Sequence, residues 1–262
     1  MNARALTLAG AFAAHRWLAV GALLFGAGVA ATLAGSTAMA GMGGMAMPGG
    51  WTMSMLWMRM PGQSWAGTAA GFMAMWAAML PPMMLPALLP ALARYRRVLA
   101  GRSSTARLDV LTAQAAAGYF AVWLAQGGVV YALGTALAAA AMRDPVLAAH
   151  APLAASLLLI GAGVVQWSRW KAHRLGCCHT LAAHGGAAWR AGARLGWECS
   201  TCCAGLTAVL LVAGIMDLRA MALVTVAISA ERLAPRGAGV ARAIGVALIA
   251  LGCGFYVIAP EA

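Results

Sequence analysis

The chain has 262 residues, of which 63% are hydrophobic and only 9% are charged. Since roughly a quarter of the residues in a soluble domain are charged, this composition excludes an ordinary soluble globular protein. Eighteen Lys and Arg against six Asp and Glu give a net charge of +12. The basic residues form short clusters between long uncharged runs, which is typical of multi-pass membrane proteins and not of nucleic-acid-binding proteins.

Stretches without Lys, Arg, Asp or Glu predict where the chain crosses the lipid bilayer, because a spanning helix needs about 20 apolar residues. They indicate an all-α, polytopic membrane bundle of about seven transmembrane helices. The sixth is the shortest and requires Arg219 and Glu231 at the two membrane interfaces, which long side chains allow. The predicted helices cover residues 17–37, 65–91, 112–140, 147–168, 198–216, 218–234 and 239–258.

The distribution of positive charge predicts the orientation, because cytoplasmic loops collect Lys and Arg. With the N-terminus in the cytoplasm and the C-terminus outside, 15 of the 18 positive residues lie inside. Only Arg59, Arg143 and Arg219 lie outside. We therefore expect a multi-pass protein of a bacterial inner membrane.

The same division predicts two parts. Residues 1–64 hold the first transmembrane helix and a Met-rich external loop, and residues 65–262 form a six-helix membrane domain with a cytoplasmic Cys/His loop at about 169–198. A rival interpretation takes the first helix as a signal peptide, since Ala38-Met39-Ala40 resembles a cleavage site. Cleavage there would leave the remaining topology unchanged.

The external loop is unusual in its methionines. Eight occur between residues 39 and 60, among Gly and Pro: Met39, Met42, Met45, Met47, Met53, Met55, Met58 and Met60. Thioether sulfur is a soft ligand that suits Cu(I), so the loop predicts an external copper-binding segment. The alternative is that these methionines are adaptable apolar filler at the membrane surface.

Methionines continue in the second predicted helix. Met75, Met79 and Met83 recur every four residues, with Met84 beside them, and this spacing would align their sulfurs on one face. The double proline at 81–82 is expected to kink the helix and interrupt the row. These four methionines are predicted either as soft-metal ligands or as core. The GxxxG spacing of Gly67 and Gly71 predicts close helix packing.

Cysteines cluster on the predicted cytoplasmic side, where thiols remain reduced and favour metal or redox chemistry over structural disulfides. Cys199, Cys202 and Cys203 stand at i, i+3 and i+4, which places the three sulfurs on one helix face. Together with Cys178, His179 and Glu198 they are the predicted metal ligands of this side. Small buried cysteines beside a basic loop are the alternative.

Further donors and two acidic residues complete the set of candidates. His173 and Cys177 share the i, i+4 spacing and His184 follows, which adds imidazole and thiolate donors for Zn(II), Cu(I) or iron. Glu198 could pair with Cys202 by the same spacing. Asp217 and Glu231 each stand near an arginine, which predicts structural ion pairs.

These motifs resemble a family of bacterial predicted metal-binding integral membrane proteins whose domain has no assigned function. The resemblance covers residues from about 65 to 255, and the C-x-x-C-C box with the downstream G-x-M motif is its most specific part. It implies a multi-pass membrane protein with a metal site. The matching residues are Met75-Trp76-Ala77-Ala78-Met79, Met83-Met84-Leu85-Pro86, Gln166, Lys171, Cys178, Gly196-Trp197-Glu198-Cys199-Ser200-Thr201-Cys202-Cys203, Gly214-Ile215-Met216-Asp217, Met221 and Glu231.

The chain departs from the family pattern at two places. It has His179-Thr180 where the family has arginine and proline, and Arg232 where the family favours lysine. The first change leaves His179 as a ligand in doubt.

The motifs together predict a membrane protein that binds or transfers a soft transition metal, with copper favoured over zinc or iron. A membrane or periplasmic metalloprotein is the expected partner besides the lipid bilayer. Two alternatives are a membrane redox enzyme, either a thiol oxidoreductase or a subunit of a copper-dependent oxidase, and a structural accessory subunit. No phosphate-binding loop, catalytic Ser-His-Asp set or paired catalytic carboxylates occur in the sequence.

Overall fold

The structure, a computed structural model, describes residues 3–40, 43–59, 62–100, 103–177, 187–215 and 217–258. These residues form helices connected by short turns, with one small β-hairpin. In chain order the elements are α1 (Ala3–Ala40), β1 (Gly44–Met47), β2 (Trp51–Ser54), a 3-10 helix (Met55–Trp57), α2 (Trp65–Leu99), α3 (Thr105–Arg143), α4 (Pro145–Ala149), α5 (Ala151–Gln166), α6 (Arg169–Cys177), α7 (Ala188–Ala213), α8 (Leu218–Leu233) and α9 (Gly237–Ile258).

Five of the described helices are long and apolar enough to cross a membrane: Arg16–Met39, Trp65–Leu99, Thr105–Arg143, Ala188–Ala213 and Gly237–Tyr256. Helices α5 and α6 meet at a 62° bend and add a sixth span if the pair crosses as one. Helix α8 has 16 residues. At 1.5 Å per residue it is about 24 Å long, shorter than a hydrocarbon core of about 30 Å. The all-helical architecture is thus confirmed, and five helices are long and apolar enough to cross a membrane, while the seven spans and their orientation remain predictions.

Helix α2 runs without a break through its prolines. It extends from Trp65 to Leu99 although it contains Pro81, Pro82, Pro86 and Pro90. Proline donates no backbone hydrogen bond within a helix, so packing must supply the stability of α2. Helix α2 packs against α1, α3 and α8. The four predicted methionines therefore lie on one continuous helix, and the kink expected at residues 81–82 stays a prediction.

Two helix pairs make the most extensive contacts in the bundle: α3 lies along α7, and α5 lies along α9. Small residues allow the first pair to approach closely, since a Cβ added to Gly192 would overlap the carbonyl of Ala115, and one added to Gly118 would overlap the carbonyl of Trp189. The predicted GxxxG spacing does not have this role, because a Cβ at Gly71 would meet no described atom within 4 Å. Close packing is present, but at other glycines.

The Met-rich loop folds into an antiparallel hairpin. Strand β1 pairs with β2 in a register that sets Met45 opposite Met53 and Met47 opposite Trp51. The indole Nε1 of Trp51 donates a hydrogen bond of 2.8 Å to the carbonyl of Ala148, so the hairpin is attached to α4. Since α4 follows α3 directly, the hairpin lies at the C-terminal end of α3.

Candidate metal centre

The three clustered cysteines lie on the buried face of α7. Cys199, Cys202 and Cys203 are 0%, 3% and 1% exposed, and all three are free thiols. Residues at three- and four-residue intervals fill this face, which is the spacing that turns one side of a helix inward; they are Gly192, Leu195, Gly196, Cys199, Cys203, Leu206 and Leu210. Cys202 and Cys203 follow Cys199 at three and four residues, so the three side chains are neighbours on the helix.

Cys199 is the centre of a polar contact between three helices. The hydroxyl of Tyr119 on α3 lies 2.9 Å from its Sγ, and Nη1 of Arg232 on α8 donates to the same sulfur at 2.6 Å. Tyr119 is 0% exposed and Arg232 only 4%. A buried guanidinium needs an electron-rich partner. Its contact with Cys199 favours the thiolate, which is the form that binds metals.

A second polar contact lies beside the cysteines. Nζ of Lys171 on α6 is 2.8 Å from Oε2 of Glu231 and donates to the carbonyl of Cys202 at 2.7 Å. Gln166 at the end of α5 donates from Nε2 to Oε1 of Glu231 at 2.7 Å. Lys171 and Glu231 are 2% and 1% exposed, so each charge depends on the other for compensation. This lysine–glutamate pair fixes the bent α5–α6 segment against α7 and α8.

The residues that make these contacts lie toward one end of the bundle. Gln166 and Arg232 stand at the C-terminal ends of α5 and α8, whereas Cys199 lies in the first half of α7. Tyr119 comes 24 residues before the end of α3 at Arg143, a distance of about 36 Å along the helix. The cysteines and the hairpin therefore lie at opposite ends of the bundle.

A cavity of about 400 Å³ adjoins the site. Arg232 forms part of its wall, between the last third of α2 and the turn after α8. The other lining residues include Ala87, Pro90, Arg94 and Pro235. Arg232 thus faces this cavity on one side while its Nη1 contacts Cys199.

The predicted ligands have different surroundings. Met79, Met83 and Met84 are 3%, 3% and 1% exposed in the same core as Cys199 and Cys203, and Met75 is half-buried against that core. Glu198 accepts a hydrogen bond of 3.3 Å from Nε of Arg194. Cys178, His179 and His184, with the side chain of Cys177, lie outside the part of the chain that the structure describes.

The two acidic residues near the membrane interfaces also differ from expectation. Asp217 caps α8, its Oδ1 accepting from the backbone N–H of Arg219 at 2.7 Å instead of forming a side-chain pair. Glu231 pairs with Lys171, not with its neighbour Arg232. An ion pair with the adjacent arginine is thus the wrong interpretation, although a structural pair is present.

Sequence reasoning missed Tyr119 and the role of Arg232. One signal was available for the lysine–glutamate pair, because Lys171 and Glu231 fall on the same predicted membrane side in a chain with only six acidic residues. Nothing in the sequence distinguishes Tyr119 from an ordinary aromatic residue of a span, since its contact with Cys199 joins residues 80 apart.

Across the described residues, no three His, Cys, Asp or Glu side chains are arranged to hold one metal ion. Comparison with curated proteins and with solved structures gives no match. A family model does match, over residues 73–255, and its description is a copper chaperone, PpoB2. The matched region includes α3, α5 to α8 and every residue that contacts Cys199 or Glu231. The chain therefore belongs to the PpoB2 family of copper chaperones.

Proposed function

We propose that this protein is a multi-pass chaperone of the bacterial inner membrane that binds Cu(I) between the thiolates of Cys199 and Cys203 and transfers it to a copper-requiring protein. The observation that carries the proposal is the contact of Arg232 with the buried Cys199, which has two further buried cysteines beside it on α7. Cys199 and Cys203 stand one helical turn apart, which leaves about 5–6 Å between their Cβ atoms and brings both sulfurs within reach of one ion.

Charge compensation favours a monovalent metal in this position. Two thiolates and one Cu(I) carry a net charge of −1, which the Arg232 guanidinium balances. A divalent ion between the same two thiolates would give a neutral complex, which a guanidinium whose Nη1 lies 2.6 Å from the Cys199 Sγ attracts less strongly. The neighbouring Lys171 and Glu231 already balance one another. The set of charges thus suits Cu(I) better than Zn(II).

The methionines of α2 extend from the hairpin end of the bundle toward the cysteines. A Cβ at Gly127 would overlap the ring of Trp76, so these two residues pack side by side on α3 and α2. Tyr119 stands eight residues before Gly127 on α3, and Met84 stands eight residues after Trp76 on α2. Because the two helices are antiparallel, both residues lie about 12 Å from the Gly127–Trp76 contact, toward the same end of the bundle. Met84 therefore lies at the depth of Tyr119. Thioethers along α2 can bind Cu(I) weakly and exchangeably, whereas thiolates bind it more firmly.

The orientation completes the proposal. The seven-helix topology with the N-terminus inside is supported by the 15 positive residues that it places in the cytoplasm. It sets the hairpin outside and the cysteines near the inner surface. A thiol oxidoreductase would need thiols that a partner protein can reach, and the burial of Cys199, Cys202 and Cys203 supports metal binding instead.

A Cu(I) competition titration of the purified full chain in detergent tests the proposal. Cys199→Ser and Cys203→Ser should each weaken the tightest Cu(I) site at least a hundredfold. The matched control is Cys253→Ser, which removes the exposed cysteine of α9 and should leave that site unchanged. Equal affinity in the wild type and the Cys199→Ser variant would contradict the proposal.

A further inference from the structure

The hairpin gathers soft side chains on one of its two faces. Successive residues of a strand point to opposite sides, and the register sets Met45 opposite Met53 and Met47 opposite Trp51. These four residues therefore share a face. The residues of the other face, Gly44, Ala46, Thr52 and Ser54, are all exposed.

Burial shows that the methionine face is turned toward the protein. Met53 is 2% exposed and Met45 is 37% exposed, so the face extends from the interior to the surface. The Trp51 bond to Ala148 holds the hairpin on α4. A Cβ at Gly49 would also lie 2.9 Å from the carbonyl of Ala149, which shows how closely the turn approaches α4. The strand pair is therefore held in place from one side.

Residues directly opposite on antiparallel strands have Cβ atoms about 4.5–5.5 Å apart. The flexible side chains of Met45 and Met53 can thus bring two sulfurs to one ion, and Met47 lies two residues along the same strand. Thioether is neutral, soft and selective for monovalent copper over hard cations. No protonatable ligand is needed, so such a site keeps its affinity at acidic pH, where thiolate and imidazole sites lose theirs.

We infer that the hairpin is a second metal site, a thioether site for Cu(I) formed by Met45, Met47 and Met53. The site precedes the region that matches the copper chaperone family, which begins at residue 73. It rests on the proposed function in two respects, that copper is the physiological cargo and that the hairpin end of the bundle faces outside. Its place at the opposite end of the bundle from Cys199 makes it an acceptor for external metal, upstream of the methionines of α2.

The test uses the full chain in detergent and silver(I), a soft monovalent ion that does not change oxidation state during the titration. It is carried out at pH 5 in a Cys199→Ser/Cys203→Ser background, so that binding by those thiolates does not contribute. Met45→Leu/Met53→Leu removes the opposed pair while conserving side-chain volume. Met142→Leu/Met221→Leu is the matched control, because it removes two methionines of α3 and α8 that lie outside the Met-rich loop and outside α2.

One bound silver ion per chain should disappear in Met45→Leu/Met53→Leu and remain in the control pair. The single change Met45→Leu, at a partly exposed position, should weaken binding at least tenfold without affecting the fold. Unchanged binding in Met45→Leu/Met53→Leu, or equal loss in both pairs, would overturn the inference. Either result leaves the Cys199 site untouched, because that site is tested separately with its thiols intact at neutral pH.

Discussion

Removing the Arg232 charge tests the charge balance at the copper site. Arg232→Gln keeps a hydrogen-bonding side chain of similar shape but removes the cation that donates to Cys199 at 2.6 Å. A charge pair about 4 Å apart is worth about 4 kcal/mol at an effective dielectric constant of 20. Since 1.4 kcal/mol is a factor of ten in affinity, the Cu(I) affinity should fall by about two to three orders of magnitude.

The assay is a Cu(I) competition titration of each purified variant against a chelator of known affinity. Arg232→Lys preserves the charge and should retain the affinity within about tenfold, in keeping with the lysine favoured at this position in the resembling family. Arg236→Gln is the control, because it removes an exposed arginine of the following turn. Thermal unfolding of each variant in detergent reports whether the fold is intact.

If folded Arg232→Gln binds Cu(I) within threefold of the wild type, the charge-balance argument is refuted. An affinity lost equally in Arg232→Gln and Arg232→Lys would refute it as well, since the second variant keeps the positive charge. In that case the guanidinium would act through its shape alone.

Three further predictions concern the surroundings of the site. Glu231→Gln should lower the free energy of unfolding by about 3–5 kcal/mol, measured with denaturant, because it leaves Lys171 buried without its partner. The double variant Lys171→Met/Glu231→Leu should recover most of that loss. No recovery would show that the ion pair is not the cause. Gly192→Ala should lower the free energy of unfolding by about 1–3 kcal/mol, because the added Cβ overlaps the Ala115 carbonyl. Gly128 has open space around it, so Gly128→Ala should leave the free energy of unfolding unchanged or raise it by up to about 1 kcal/mol. Glu198→Gln should alter stability by less than about 1 kcal/mol and leave the Cu(I) affinity unchanged, and a tenfold loss of affinity would restore Glu198 as a ligand.

The position of the helices could be predicted because charge alone limits where a membrane span can lie. The uncharged runs locate α5, α8 and α9 within four residues at both ends, whereas α1, α2, α3 and α7 each extend 7 to 14 residues beyond the predicted span at one end. Asp217 and Arg219 separate α7 from α8 where the structure separates them. Helix α7 begins at Ala188, ten residues before the predicted span, because a helix can continue beyond the membrane past Arg190 and Arg194. Charge shows where a span ends, not where its helix ends.

The contacts of the site could not be predicted from the same pattern. A helix that is apolar all round gives no information about which face meets which neighbour. The contacts of Cys199 with Tyr119 and Arg232, and of Lys171 with Glu231, depend on the rotation and depth of four separate helices. The spacing of Cys199 and Cys203 was the exception, because both lie on one helix and their shared face follows from the sequence.

The Met-rich loop is an intermediate case. Its composition predicted soft ligands, yet neither the register that opposes Met45 and Met53 nor the contact of Trp51 with α4 follows from it. Hairpin register depends on the turn, and the two glycines there have positive φ values, +90° at Gly49 and +73° at Gly50. Several glycines stand in this stretch, so the sequence allows more than one turn position.

The most direct measurement of the Cu(I) site at Cys199 and Cys203 is X-ray absorption at the copper edge of the full chain carrying one equivalent of Cu(I). The variant used is Met45→Leu/Met53→Leu, which confines the metal to the inner site. Copper bound between Cys199 and Cys203 should show a shell of two sulfur ligands, and the Cys199→Ser form should lose this shell. A shell of nitrogen ligands, or a sulfur shell that persists without Cys199, would contradict it and would move the copper to His179 and Cys178.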